Sequence, residues 1–195
     1  EPPQMDTGRI LSLRPMDEVS VDFAAYKRRN FLVMVDRLSS YVFVEEAKHQ
    51  SIVDTINIMA RWFQDLGFPR ILRADDGPSF RGGFNAWLDS KNIIRETSAA
   101  YDPQSNGLAE RAVRRAKDVI KKCMDEGRDW KEGIFELRTQ PSGALGGAAP
   151  AQVLHGGRMP CSPLLPHLNK DENISKARAF RAWLAESAVA DAHTR

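Results

Sequence analysis

Three short apolar runs open the readable part of the chain: Val19 to Tyr26 (VSVDFAAY), Phe31 to Val35 (FLVMV) and Tyr41 to Val44 (YVFV). Turn-sized polar gaps separate them, which predicts three β-strands in an antiparallel meander. The runs are continuous rather than alternating, so both faces of these strands are expected to be buried. The period changes between Ser51 and Leu66. There Ile52, Ile56, Met59, Trp62 and Phe63 recur at helical spacing, and Gly67 stops the helix. Arg70 to Ala74 is a fourth strand that runs into the turn signal Asp75-Asp76-Gly77-Pro78. A short helix at Phe80 to Ser90 and a fifth strand at Ile93 to Thr97 follow. Ala99 to Gly107 reads as a polar loop. Beyond it, Leu108 to Met124 places Ala109, Ala112, Val113, Ala116, Val119, Ile120 and Cys123 on one helical stripe. Trp130 to Leu137 is another helix, Pro141 to Ala149 a small-residue loop, and Ala177 to Ala190 a terminal helix. Three hairpin-linked strands followed by strand–helix alternation predict an α/β fold: a five-stranded mixed sheet with helices on both faces.

Composition narrows the class. The 195 residues hold 28 Lys+Arg against 26 Asp+Glu, a formal net charge of +2, with 42% hydrophobic residues. That is the balance of a globular domain, not of a polycation or an acidic disordered tail. Cys123 and Cys161 form no CxxC pair, which argues against a closed zinc site and makes a reducing compartment the default. No apolar run approaches the roughly 20 residues that span a bilayer, and the N-terminus does not resemble a signal peptide. The expected organisation is an arm or linker at 1–14, a core at 15–140, and a loop with a C-terminal helix or linker at 141–195.

Three acids sit where acids are costly. Asp22 interrupts an apolar strand, Asp75 ends the fourth strand at a turn, and Glu110 is expected in the first turn of the long helix. A carboxylate in mid-strand needs a partner, a metal or a raised pKa. Converging carboxylates repel one another unless cations neutralise them. Hard divalent ions with oxygen ligands do this, and Mg²⁺ completes its shell with waters and phosphate oxygens. A pair of such ions can activate a nucleophile and stabilise a leaving oxygen in phosphoryl transfer. Singly, each acid is more often a structural residue or a cap; the element order makes the three informative together. Residues 111–122 add six bases (Arg111, Arg114, Arg115, Lys117, Lys121 and Lys122) against the single acid Asp118. Arg114, Lys117 and Lys121 share the face of Glu110. A basic ridge beside an acidic site suits a polyanion whose phosphate enters that site.

The stretch SAAYDPQSNGLAERAVRRAK, from Ser98 to Lys117, resembles the third catalytic motif of retroviral and long-terminal-repeat (gypsy-like) retrotransposon integrases. ADDGPSF around Asp75 resembles the second motif and VSVDFA the first. FLVMVDRLSSYVFVE resembles the two strands after the first motif, with Asp36 a turn residue and not a ligand. Between Asp75 and Glu110 lie 34 residues, one fewer than is usual in that family. RTQPSGALGGAAPAQVLHGGRMP resembles the segment that follows the core in gypsy-type elements. The family's N-terminal His/Cys zinc module and its SH3-like domain are not recognisable.

The resemblance implies an RNase H-like core and a two-step reaction: 3′-end processing of element DNA, then transfer of its 3′-hydroxyl into target DNA. It implies Asp22, Asp75 and Glu110 as ligands of Mg²⁺ or Mn²⁺, two ions per site when DNA is bound, with Asp22 bridging them. It implies DNA contacts from Tyr101, Gln104, Ser105, Asn106, Arg114 and Lys117, to which the basic ridge adds Lys121. Asp76 and Asp102 stand where the family often has other residues, and their charge would oppose DNA. Partners would be element-end DNA, target DNA and further copies of the chain, with no membrane. The setting would be a host nucleus, or a virus-like particle or preintegration complex. The alternative is a domesticated, catalytically idle module that binds DNA or protein.

Overall fold

The computed structural model describes the backbone of residues 14–97 and 103–156, and the side chains of these except 103–108. The arm at 1–13 and the expected helix at Ala177–Ala190 lie outside the described residues. Five strands form one sheet: β1 (Glu18–Tyr26), β2 (Arg29–Asp36), β3 (Val42–Ala47), β4 (Ile71–Ala74) and β5 (Ile94–Thr97), in the order β3-β2-β1-β4-β5. β1, β2 and β3 pair antiparallel, while β4 runs parallel to both β1 and β5. The mixed sheet with flanking helices is the one the strand pattern predicts.

The continuous run in β2 is explained by its two covered faces. Leu32 and Met34 join a core with Ile58, Met59 and Phe63 of α1 (Ile52–Leu66) and Phe84 and Leu88 of α2 (Gly83–Ser90). Phe31, Val33 and Val35 point the other way, onto Ala109, Ala112, Ala116 and Ile120 of α3 (Pro103–Asp125) and Trp130 and Ile134 of α4 (Trp130–Thr139). Successive side chains of a strand alternate faces, so a strand between two helical layers is apolar throughout. Ser51 caps α1 by accepting from the Asp54 N–H, and Gly67 ends it at φ 88°. α3 and α4 pack closely at Gly133: a Cβ there would lie 2.5 Å from Cys123 Sγ and 2.7 Å from Val119 Cγ1. Among the described residues no helix is long and apolar enough to cross a membrane.

Beyond α4, the backbone makes a turn of 3-10 helix at Gly143–Leu145 and the short α5 (Pro150–Leu154). Leu145, Ala148 and Val153 pack on Leu38, and Ala151 joins the core beneath α1.

Two buried polar clusters tie strands together. Glu18, 7% exposed, forms ion pairs with the guanidiniums of Arg37 (3.4 Å), Arg70 (3.2 Å) and Arg73 (3.7 Å). Arg73 also pairs with Glu96 of β5 at 2.7 Å, so the cluster spans β1, β4 and β5. Asp36 is fully buried at the end of β2. Its carboxylate accepts from Met16 N (2.8 Å), Ser39 N (3.0 Å) and Ser39 Oγ (2.5 Å). Asp36 is therefore the turn residue its place in the sequence suggested.

Burial raises the Asp36 carboxyl above the usual carboxylate range, against the hydrogen bonds that favour its charged form. A carboxyl with a raised folded pKa holds its proton more tightly folded than unfolded. Its contribution to stability is then greatest below the unfolded value, near 4, and falls as pH rises through the folded pKa. Asp36→Asn removes this titration. The variant's urea midpoint is expected to lose less between pH 4 and neutrality than the wild type's does, and parallel pH profiles would refute the assignment.

Candidate active site

β1 and β4 are neighbours at the centre of the sheet. Their parallel register sets Glu18, Val19 and Ser20 beside Ile71, Leu72 and Arg73. Continued by two residues, it brings Asp22 level with Asp75, where β4 has left the sheet. Sequence spacing alone does not reveal this, because β2, β3 and α1 lie between the two strands in the chain.

Asp75 accepts from the Gly77 N–H at 3.0 Å, which folds the turn after β4. A Cβ at Gly77 would stand 2.9 Å from Asp75 Oδ1, so a larger residue there would push the Asp75 carboxylate aside. Arg95 of β5 donates to the Asp75 carbonyl and to the Asp76 carboxylate, both at 2.8 Å. The negative charge of Asp76, expected from the sequence to oppose DNA, is thus paired with a guanidinium. Sequence reasoning missed Arg95 as the residue that fixes this turn, and no local signal marks it.

The third acid reaches the same place from α3. That helix starts at Pro103, not at Leu108 as expected, so Glu110 lies about two turns inside it and not in its first turn. The sequence Pro-Gln-Ser-Asn-Gly reads as loop by composition. Proline at the first helical position costs nothing, because its missing N–H would have no partner there. Glu110 is exposed on the face of this helix.

Asp22, Asp75 and Glu110 line one open cleft of about 340 Å³, together with Ser20, Val21, Val113, Arg114 and Lys117. Asp22 Oδ1 accepts from Phe23 N at 2.7 Å, and its Oδ2 accepts from Lys117 Nζ at 2.5 Å. The side chains of this pair are 40% and 33% exposed, so solvent reaches both. Lys117, singled out as a DNA contact, here serves as the counter-ion of an acid. Lys121 does not line the cleft; its ammonium stands 5.7 Å from the centre of the Tyr26 ring. Gln104, Ser105 and Asn106 fall in the first turns of α3, and their side chains, with Tyr101 and Asp102, lie outside the described residues. Among the described residues, no three His, Cys, Asp or Glu side chains are gathered closely enough to hold a metal ion.

The fold and the cleft define an RNase H-like domain of the integrase catalytic-core type. The catalytic core domain of BIV integrase superposes with a TM-score of 0.61 at 20% identity, over 72% of this chain and 94% of that one. The dimeric HTLV-2 integrase catalytic core in complex with magnesium gives 0.58 at 22% identity, over 74% of this chain and 100% of that one. In sequence, the chain's homologues are retroviral Pol polyproteins and an uncharacterized Caenorhabditis elegans protein. The latter is 33% identical over 150 residues, 74% of this chain and 12% of the relative. The Gag-Pol polyprotein of Baboon endogenous virus (strain M7) is 30% identical over 179 residues, 87% of this chain and 10% of the relative. The chain thus spans about a tenth of the length of the curated relatives it matches. No family model matches it.

Proposed function

We propose that the chain is the catalytic core of a DNA-integrating polynucleotidyl transferase. It would carry out 3′-end processing of element DNA and transfer of the resulting 3′-hydroxyl into target DNA. The observation that carries this reading is the meeting of Asp22, Asp75 and Glu110 with Arg114 and Lys117 in one cleft of an integrase-type fold. The chemistry of the donor set suits a hard divalent cation, three carboxylates from three elements with no thiol or imidazole among the described lining residues, and the three would have to draw closer together to hold one. Asp22, Asp75 and Glu110 would hold Mg²⁺ or Mn²⁺, two ions when DNA is bound. Such ions supply Lewis-acid activation of the nucleophile and charge stabilisation at the leaving 3′-oxygen.

The protein's own groups do the rest. The Asp75 turn, held by Gly77 and Arg95, fixes one carboxylate on the central sheet, and α3 presents another from a packed helix. Asp22 is the counter-ion of Lys117 and would serve as a ligand as well, because a carboxylate has acceptor sites for both. Lys117 and Arg114, which line the same cleft, would pair with phosphate oxygens of DNA. Tyr101, Gln104, Ser105, Asn106 and Lys121 complete the proposed DNA contacts. The magnesium of the HTLV-2 core and its dimeric form support a cation and further copies of the chain as partners. We place the core between residues 15 and 154, because α5 packs on it. A virus-like particle or preintegration complex, or the host nucleus, is the setting in which such a core would act.

The test is joining of a short duplex bearing cognate ends into plasmid DNA, with Mg²⁺, Mn²⁺ or chelator. Product that depends on the cation supports the reading. Absence of product from this chain, and from the chain joined to the family's zinc-binding and SH3-like modules, would favour an idle binding module instead.

A further inference from the structure

α3 carries a second basic face that the catalytic cleft does not use. At about 100° per residue, Arg111 and Arg115 lie roughly 100–140° around the helix from Glu110, while Arg114, Lys117 and Lys121 stay within about 40° of it. Arg111 and Arg115 are one turn apart, and both line a partly open pocket of about 110 Å³. That volume equals roughly three to four waters, about the size of one phosphate group. Ser40, Gln140 and Ser142 also line it, with apolar residues that include Ala112 and Leu137.

Among the described residues, no acid pairs with the charge in this pocket. Other bases nearby have acids: Lys122 pairs with Glu126, Arg128 with Glu126 and Glu136, and Lys117 with Asp22. Among the described residues, neither Arg111 nor Arg115 has an ion pair or a hydrogen-bond partner for its guanidinium. Two adjacent guanidiniums repel each other, and holding them beside one concavity is favourable when an anion bridges them. Arg forks match the oxygens of a phosphate, and the hydroxyls of Ser40 and Ser142 and the Gln140 amide offer further donors.

We propose that this pocket is a second phosphate site, which takes one phosphodiester group of a DNA duplex running past the acidic cleft. α3 then holds DNA on two faces, one phosphate at the reacting position and one at Arg111 and Arg115. This inference rests on the proposed action of the cleft on DNA.

The experiment is equilibrium binding of a short fluorescent duplex of unrelated sequence, in chelator, over a series of salt concentrations. Removing one charged group from a phosphate lowers the slope of log K against log salt by about 0.9. Arg111→Gln with Arg115→Gln is expected to weaken binding about tenfold and to lower the slope by about 1–2. Arg111→Lys with Arg115→Lys should recover most of the slope, since charge is kept. Thermal midpoints matching the wild type's distinguish weakened phosphate binding from impaired folding. Arg115→Gln alone, at an exposed position, gives the same readout at about half the size if the double variant does not fold. An unchanged slope in the double Gln variant, with binding weakened by Arg114→Gln and Lys117→Gln, overturns the second site and leaves the action on DNA standing. No duplex binding by the wild type removes both. Capture of an acidic peptide but not of DNA by Arg111 and Arg115 also overturns the proposal.

Discussion

Glu110→Gln is expected to reduce strand joining roughly 10³-fold while leaving the protein's thermal midpoint unchanged. The substitution keeps the side chain's length and shape, replaces one accepting oxygen by a donating NH2 and removes one negative charge from the cleft. Glu110 is exposed on α3, and no ion pair or hydrogen bond of its side chain is seen among the described residues. Replacements at such surface positions change stability by about 0.5 kcal/mol or less. A cation held by three carboxylates contributes several kcal/mol of transition-state stabilisation. Losing about 4 kcal/mol of it is a factor of about 10³. Asp22→Asn should be as damaging to joining, but it also deprives Lys117 of its 2.5 Å partner, so its effect on folding is less clean. Joining yields and melting curves for the two variants separate these roles. Glu110→Gln activity within about threefold of the wild type would remove Glu110 from the site.

The acids of this cleft were legible in the sequence through the element order and the family resemblance more than through local rules, since Glu110 is an ordinary residue of a helix face. Asp22 is a charge in an apolar strand, and Asp75 ends a strand at a turn. Covered on both faces, β2 was legible as the unbroken run FLVMV, and α1 ended at Gly67 as its sequence required. The start of α3 was not legible. Polar residues of low helix propensity disguised its first turns, and packing of Ala109, Ala112 and Ala116 under the sheet outweighs that propensity. The pairing of Lys117 with Asp22 joins positions 95 residues apart and follows only once α3 lies across β1. Arg73 shows the same limit. Within RILRA it reads as the exposed position of a short strand, yet it is 5% exposed and lies between Glu18 and Glu96.

That buried cluster carries the largest expected effect on stability. Glu18→Ala should lower the free energy of unfolding by about 3–5 kcal/mol, the cost of removing one partner from a buried ion cluster. The carboxylate of Glu18 meets three guanidiniums, and two of them, on Arg37 and Arg73, belong to side chains no more than 8% exposed. Without Glu18, Arg73 keeps only Glu96, whose side chain is 38% exposed, and its Nε already lacks a partner. The loss falls on the join between β1 and β4, the strands that bring Asp22 level with Asp75. For a chain of this length, the expected fall in thermal midpoint is on the order of 10 °C. A double-mutant cycle with Arg73→Met isolates the pair: the combined loss should be smaller than the sum, because the second change removes the charge that the first leaves stranded. A loss below about 1 kcal/mol for Glu18→Ala, or strict additivity with Arg73→Met, would mean that water compensates these guanidiniums. The join between β1 and β4 would then rest on its backbone hydrogen bonds and on the packing of Val19 and Leu72.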